Sequence, residues 1–273
     1  ARRPPPRRGR RPADFADAGI TLLRTPASSS LPELWCRADG GPHGFLSTAA
    51  HAHADSLSIE VRHGGVEVLA DPGTYCYHGE DEWRRYFRST LAHNTLELDR
   101  RDQSRSEGPF MWVRHARAGV LEVVETTDGE IESWTAEHDG YANLDPPAFH
   151  RRTVRLDHAR RRYDIVDEVD TTGVHPMRLA FHLGPQVEAE RVDGGDAAFA
   201  LRWPSAARTP HHASATLHLP GELRWELHRG DVAPILGWYS PAFGVKTPTT
   251  VLVGSGTSGA RSRRLASALV FHD

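Results

Sequence analysis

The sequence predicts an all-β protein, a large antiparallel β-sandwich. Three observations carry this. Short segments alternate apolar and polar residues, the mark of a strand buried on one face. Gly, Pro and Asp clusters separate those segments at short intervals, as in sandwiches built from many strands. Helical periodicity is confined to one stretch of at most three turns. At 273 residues the chain is long enough to enclose a sizeable core as one large β domain.

In order, residues 1–13 read as a basic, proline-rich linker and 14–273 as the sandwich. The first twelve residues hold six arginines and no acid, a composition that repels itself and cannot pack. Strands are expected over 15–24, 34–38, 57–62 and 66–70, with Gly64-Gly65 as a hairpin turn. Residues 80–91 are the helical candidate, because Trp83, Tyr86 and Phe87 fall at i, i+3 and i+4. Strand patterns then resume at 95–98, 120–126, 131–137, 153–156, 163–169, 178–183, 197–203, 215–219, 223–227, 249–253 and 265–271. Gly254 to Gly259 reads as a flexible hairpin tip. No repeat of fixed period is found.

Composition narrows the function classes. The net charge is −3, so bulk charge argues against a nucleic-acid partner. No apolar run approaches a membrane span, and the N-terminus lacks the apolar stretch of a signal peptide. Localisation is left unassigned. Cys36 and Cys76 permit at most one disulfide, and two buried thiols are the expectation.

The chemistry concentrates in His51-Ala52-His53-Ala54-Asp55, Asp71-Pro72-Gly73-Thr74-Tyr75 and Ala92-His93-Asn94-Thr95. In an extended backbone His51, His53 and Asp55 would share a face. Imidazole nitrogen and carboxylate oxygen are the donors zinc accepts. With 17 histidines in the chain, a His-x-His pair is unremarkable by itself, so spacing alone leaves the metal open. A cupin-like metalloenzyme would use Gly44, His51, His53 and Glu60, but His53 and Glu60 are too far apart for that motif. Its second half is met only loosely by Pro72, Gly73 and His78. A serine-nucleophile elbow, a P-loop and a dinucleotide fingerprint are all missing from the sequence.

The segment from Ala50 to Trp112 resembles the C-terminal domain of the heparinase II/III-like polysaccharide lyases. The pieces that carry this are the His51–Asp55 motif with Ser56-Leu57-Ser58, the Leu69–Tyr75 run and Trp83 through Thr90. Ala92 through Thr95, Asp102-Gln103 and Gly108 through Trp112 complete them, with Gly237 through Pro241 late in the chain. The resemblance implies a structural zinc on His53, Asp71 and His93, with His51 facing the catalytic cleft and Asp55 as a supporting carboxylate. It also implies an acidic polysaccharide substrate and an N-terminal helical toroid domain that this chain does not contain. Cleavage would be β-elimination of a uronic-acid-containing glycan, for which His51 and Tyr86 are the catalytic candidates. Arg88 and Asn94 are the candidates for substrate binding. The alternative is a non-catalytic carbohydrate-binding or structural β-sandwich.

Overall fold

The computed structural model describes residues 13–25, 31–44, 48–127, 130–192, 197–204 and 212–272. The expected linker, residues 1–12, lies outside them. Ala13, expected as the last linker residue, already belongs to the fold: it is buried, and its carbonyl accepts the Leu22 amide at 2.6 Å.

Every ladder is antiparallel. An eight-stranded sheet runs in the order Glu188–Arg191, Ala198–Pro204, His212–His218, Arg263–His272, Arg162–Thr171, Ala148–Asp157, Ile131–His138, Ala118–Glu125. The opposite layer has two parts. The first contains Asp14–Phe15, Ile20–Arg24, Leu34–Asp39, Ile59–His63 and Val66–Leu69. The second contains Arg224–Arg229, Thr250–Thr257, Pro176–His182 and Leu96–Leu98. An isolated bridge from Leu69 to Leu183 joins them. Alternation explains the layering: in Leu34–Asp39 the residues Leu34, Cys36 and Ala38 are buried and their neighbours are half-exposed. One apolar core, with Trp134, Tyr163, Phe181, Phe199 and Trp203, takes side chains from all three sheets. Transfer of such surface out of water is the main stabilising term.

The expected helix forms as Asp81–Arg88, followed by a 3-10 turn at Thr90–Ala92. Acids occupy its first turn and Arg85 and Arg88 its last, matching the helix dipole. Tyr86 and Phe87 bury against Ala180, Leu236, Val251 and Val253 in a second, smaller cluster.

Three expectations need correction. Residues 51–58 are not extended; they form turns and bends, with Leu57 at φ 62, and the strand begins at Ile59. Gly254 to Gly256 is no hairpin tip. It lies within Thr250–Thr257, which is paired on both sides. The glycines are there for packing: a Cβ on Gly254 would come within 2.6 Å of the Trp225 ring. Hairpins at Asp231–Leu236 and Trp238–Pro248 also form where no strand was expected. Cys36 and Cys76 are buried free thiols.

Candidate active site

The site lies where the two parts of the split layer meet. Asp71 ends the run after Val66–Leu69 and enters a tight turn in which Gly73 has φ 80. One oxygen of Asp71 accepts the Gly73 amide at 2.8 Å. The other, Oδ2, is thereby left facing His93 Nε2 at 3.5 Å. His93 is fully buried at the end of the 3-10 turn, and its Nδ1 donates to the Ser89 carbonyl at 2.8 Å. A carbonyl only accepts, so the His93 proton sits on Nδ1 and Nε2 presents a lone pair. That lone pair faces His53 Nδ1 at 3.2 Å.

His53, Asp55 and His93 each offer a donor atom, all within 4.8 Å of one another. Asp55 therefore stands among the donors themselves. Burial, with Asp39 and Asp71 nearby, pushes its carboxyl up to about 7. Burial and the neighbouring His93 hold His53 well below its usual range, in the neutral form that ligates metals. A cleft of about 750 Å³ opens beside these groups and is also lined by His43, His51 and Arg37. Its lining carries five carboxylates, Asp17, Asp39, Asp55, Glu60 and Asp71, against the single arginine Arg37. Arg37 is already committed to Asp39 at 2.8 Å and Glu60 at 3.0 Å. Carboxylates facing imidazole lone pairs repel unless a cation lies between them, so this donor set fits a divalent ion of the zinc class.

His51 stands apart from that cluster. It is exposed, and its ring meets Tyr77 at 5.1 Å and Phe110 at 6.3 Å between centroids. The tyrosine beside His51 is thus Tyr77. Tyr86 is 7% exposed, packs on Trp83 and Phe87, and its hydroxyl accepts the Trp238 amide at 3.4 Å. Burial pushes its phenol far up, away from proton transfer. It belongs to the inward stripe of the helix and does not line the cleft.

The two expected substrate-binding residues are also buried, and neither lines this cleft. Arg88 is 3% exposed and donates through Nη1 to the carbonyls of Gly108 and Pro109, both at 3.0 Å. Its guanidinium lies 4.2 Å from the Trp112 ring, and burial lowers it to about 10. It clamps a loop. Asn94 is fully buried, donating to Ile59 O at 2.8 Å and Ala70 O at 3.0 Å and accepting from His182 N at 2.6 Å. These bonds tie the two parts of the layer together and use both amide hydrogens of a side chain closed off from the cleft.

His43 was not singled out by sequence. Its Nδ1 meets Ser104 Oγ at 3.3 Å, it packs edge-on against Trp112, and it lines the cleft. Burial, with His115 and Arg88 close by, lowers it to about 4, so it is neutral near pH 7. Its only local signal was the Gly40 to Gly44 loop, which does not say which cavity a side chain enters.

Comparison with known proteins matches the family "Heparinase II/III-like, C-terminal" over residues 7–267. The chain belongs to this family. A heparin-sulfate lyase of Bacteroides thetaiotaomicron is 26% identical over 184 residues, covering 65% of this chain and 24% of that protein. The heparin-sulfate lyase of Bacteroides stercoris is 25% identical over 144 residues, 51% of this chain and 18% of the relative. Among solved structures, the heparan sulfate lyase HepC from Pedobacter heparinus superposes with TM-score 0.71 at 16% identity, covering 94% of this chain and 36% of that one. A structure titled Heparinase III gives TM-score 0.71 at 18% identity, over 96% of this chain and 37% of that one. The shared fold of the heparinase II/III-like family is therefore present nearly end to end. The chain spans about a quarter or less of the length of the curated relatives it matches. No helix among the described residues is long and apolar enough to cross a membrane.

Proposed function

We propose that this chain is the β-sandwich portion of a polysaccharide lyase that cleaves a uronic-acid-containing glycan by β-elimination. The observation that carries this is exposed His51, which lines a cleft whose wall holds the His/Asp donor cluster, with the half-buried Tyr77 ring 5.1 Å from its own. Family membership supports it, and the substrates named for the relatives make heparan sulfate the first glycan to test.

The reaction needs a base and an acid. A base removes the C5 proton, which is acidified by the adjacent carboxylate; its electron pair forms the C4–C5 double bond. The C4–O4 bond breaks, and the leaving oxygen takes a proton. His51 and Tyr77 carry groups able to hold and release these protons. The neutral His43 supplies a polar edge in the cleft wall. His53, Asp71 and His93, joined by Asp55, would hold zinc, which supplies positive charge and fixes the three segments that present His51.

Two measurements test this. In the full-length gene product, His51→Ala and Tyr77→Phe are expected to lower kcat by roughly 10²–10⁴-fold, the usual range for lost acid–base catalysis. Formation of the unsaturated uronate is followed by ultraviolet absorbance. Tyr86→Phe is expected to leave kcat within about twofold. Normal turnover by His51→Ala would overturn the assignment and favour the non-catalytic binding domain. Elemental analysis should find zinc. Chelation should cost about 4 kcal/mol of stability if the ion is held at a thousand times its Kd. Metal-free protein whose melting is unchanged by chelator would remove the zinc from this proposal.

A further inference from the structure

Beside His51 the surface carries a row of three aromatic rings, and two of them are exposed. Tyr77 is flanked by Phe110 at 5.7 Å and Phe243 at 5.5 Å, each inclined 39° to it. Phe110 is 43% exposed and Phe243 63%. The rings come from three separate segments, so the row is assembled by the fold and is not a run of apolar sequence.

Both exposed rings sit on anchored loops. The loop bearing Phe110 is closed by a bond from Glu107 N to Met111 O at 2.9 Å. Two buried guanidiniums hold it from beneath: Arg84 donates to Pro109 O at 3.2 and 3.1 Å, and Arg88 to Gly108 O and Pro109 O at 3.0 Å. At the other end, Gly244 N donates to Tyr75 O at 2.7 Å, fixing the hairpin tip next to Phe243 to the turn that carries Tyr77. Rings exposed to water yet held in place lose little freedom when something stacks on them, which is the condition for a preorganised contact. Their surroundings match an acidic ligand. Behind Gly108 and Pro109 a depression of about 320 Å³ is lined by Arg84, Arg85 and Arg88, with Asp81 as its carboxylate.

We infer that Phe110, Tyr77 and Phe243 form a stacking platform for a sugar ring of the glycan, continuous with His51. A pyranose presents a face of C–H groups that an aromatic ring covers well, while its hydroxyls and acid groups stay at the rim. The platform rests on the glycan reading above. It adds a binding function for the two phenylalanines, which take no part in the chemistry. Arg84 and Arg88 thereby acquire a role as supports that position Phe110, and their charge beside the platform favours an acidic glycan.

The test is binding and turnover of heparan sulfate oligosaccharides, with hyaluronan and alginate oligosaccharides alongside, by the full-length gene product and its Phe110→Ala, Phe243→Ala and double variants. Each single variant is expected to raise Kd and KM about tenfold with kcat changed less than about twofold. Phe110→Trp and Phe243→Tyr should restore binding. Melting should stay within about 2 °C of wild type, because both rings lie mostly outside the cores. Wild-type affinity in the double variant overturns the platform and leaves the glycan reading standing. A lowered melting temperature with unchanged Kd also overturns it, because the rings then pack against protein. If the wild type neither binds nor cleaves any of the three glycans, the glycan reading fails and the platform with it.

Discussion

Asp167→Asn is expected to destabilise the fold by about 3–5 kcal/mol, the cost of leaving a buried charge without its partner. Asp167 and Arg152 are both fully buried. Arg152 donates through Nε at 2.8 Å and Nη2 at 3.0 Å to the two carboxylate oxygens. Its Nη1 turns the other way and donates to the carbonyls of Leu57, at 2.8 Å, and Asn94. His150 completes the group, donating Nε2–H to Asp167 at 2.7 Å. Burial alone would raise the Asp167 carboxyl, but Arg152 and His150 outweigh it and hold it at about 2. Removing the carboxylate's charge therefore strands a guanidinium in the core and loosens its grip on residues 57 and 94, which flank the donor cluster. Urea unfolding measures the loss. The double variant Arg152→Met, Asp167→Leu should recover part of it, because an ion pair replaced whole costs less than one that is halved. A loss below about 1 kcal/mol for Asp167→Asn would show that the network is not a keystone.

Acid is expected to unfold this protein from about pH 6 downward, by way of its buried histidines. His138, His150 and His182 are 0–1% exposed. Burial lowers all three, His182 to about 3 and His138 well below the usual value. The unfolded chain binds protons near pH 6.5 and the folded one does not, so their contribution is complete above that pH and is lost as the pH falls. Each such histidine removes about 1.4 kcal/mol per pH unit over its window. Glu97 works against them: burial raises it to about 7, so its protonated form favours the fold as the pH drops through 7. Asp55, raised to about 7 by burial, acts in the same sense as Glu97, but His43 and His53, also lowered by burial, add to the three histidines, and together they outweigh these two carboxyls. His182→Gln isolates one of them, since His182 Nε2 donates to Leu91 O at 2.9 Å and glutamine is also a donor. Its stability should fall less steeply between pH 6 and 4, by about 1.4 kcal/mol per unit, as measured by urea unfolding at each pH. A slope equal to wild type would mean that His182 is protonated in the fold.

Much of the fold was legible because alternation reports burial directly. The long strands Ala148–Asp157, Arg162–Thr171 and Arg263–His272 were all located, though underestimated in length. The hairpins of two to five residues at 231–248 are too short to show a period. At the site, the resemblance pointed to His53, Asp71 and His93, and the fold brings these three side chains together. Other candidates are buried away from the cleft. Tyr86 and Arg88 lie in a motif beside the site, but they leave the helix on opposite sides, Tyr86 into the small core and Arg88 under the Gly108–Pro109 loop. Asn94 follows His93 directly, yet its partners are 24 to 88 residues away. Tyr77 sits in a turn, where no periodicity says which way a ring points.

Asn94 has a consequence for how the protein assembles. Its side chain spans the line where the two parts of the split layer abut, alongside the bonds from Ala70 N to His182 O and Gly184 N to Val68 O at 2.9 and 3.2 Å. His53, Asp55 and Asp71 lie on one side of that line and His93 leads into the strand on the other. The two backbone bonds close loops of more than a hundred residues, whose entropy must be lost before the contacts return anything. The donor cluster is therefore complete only in molecules where the two parts have docked, and an ion held there would latch that docking.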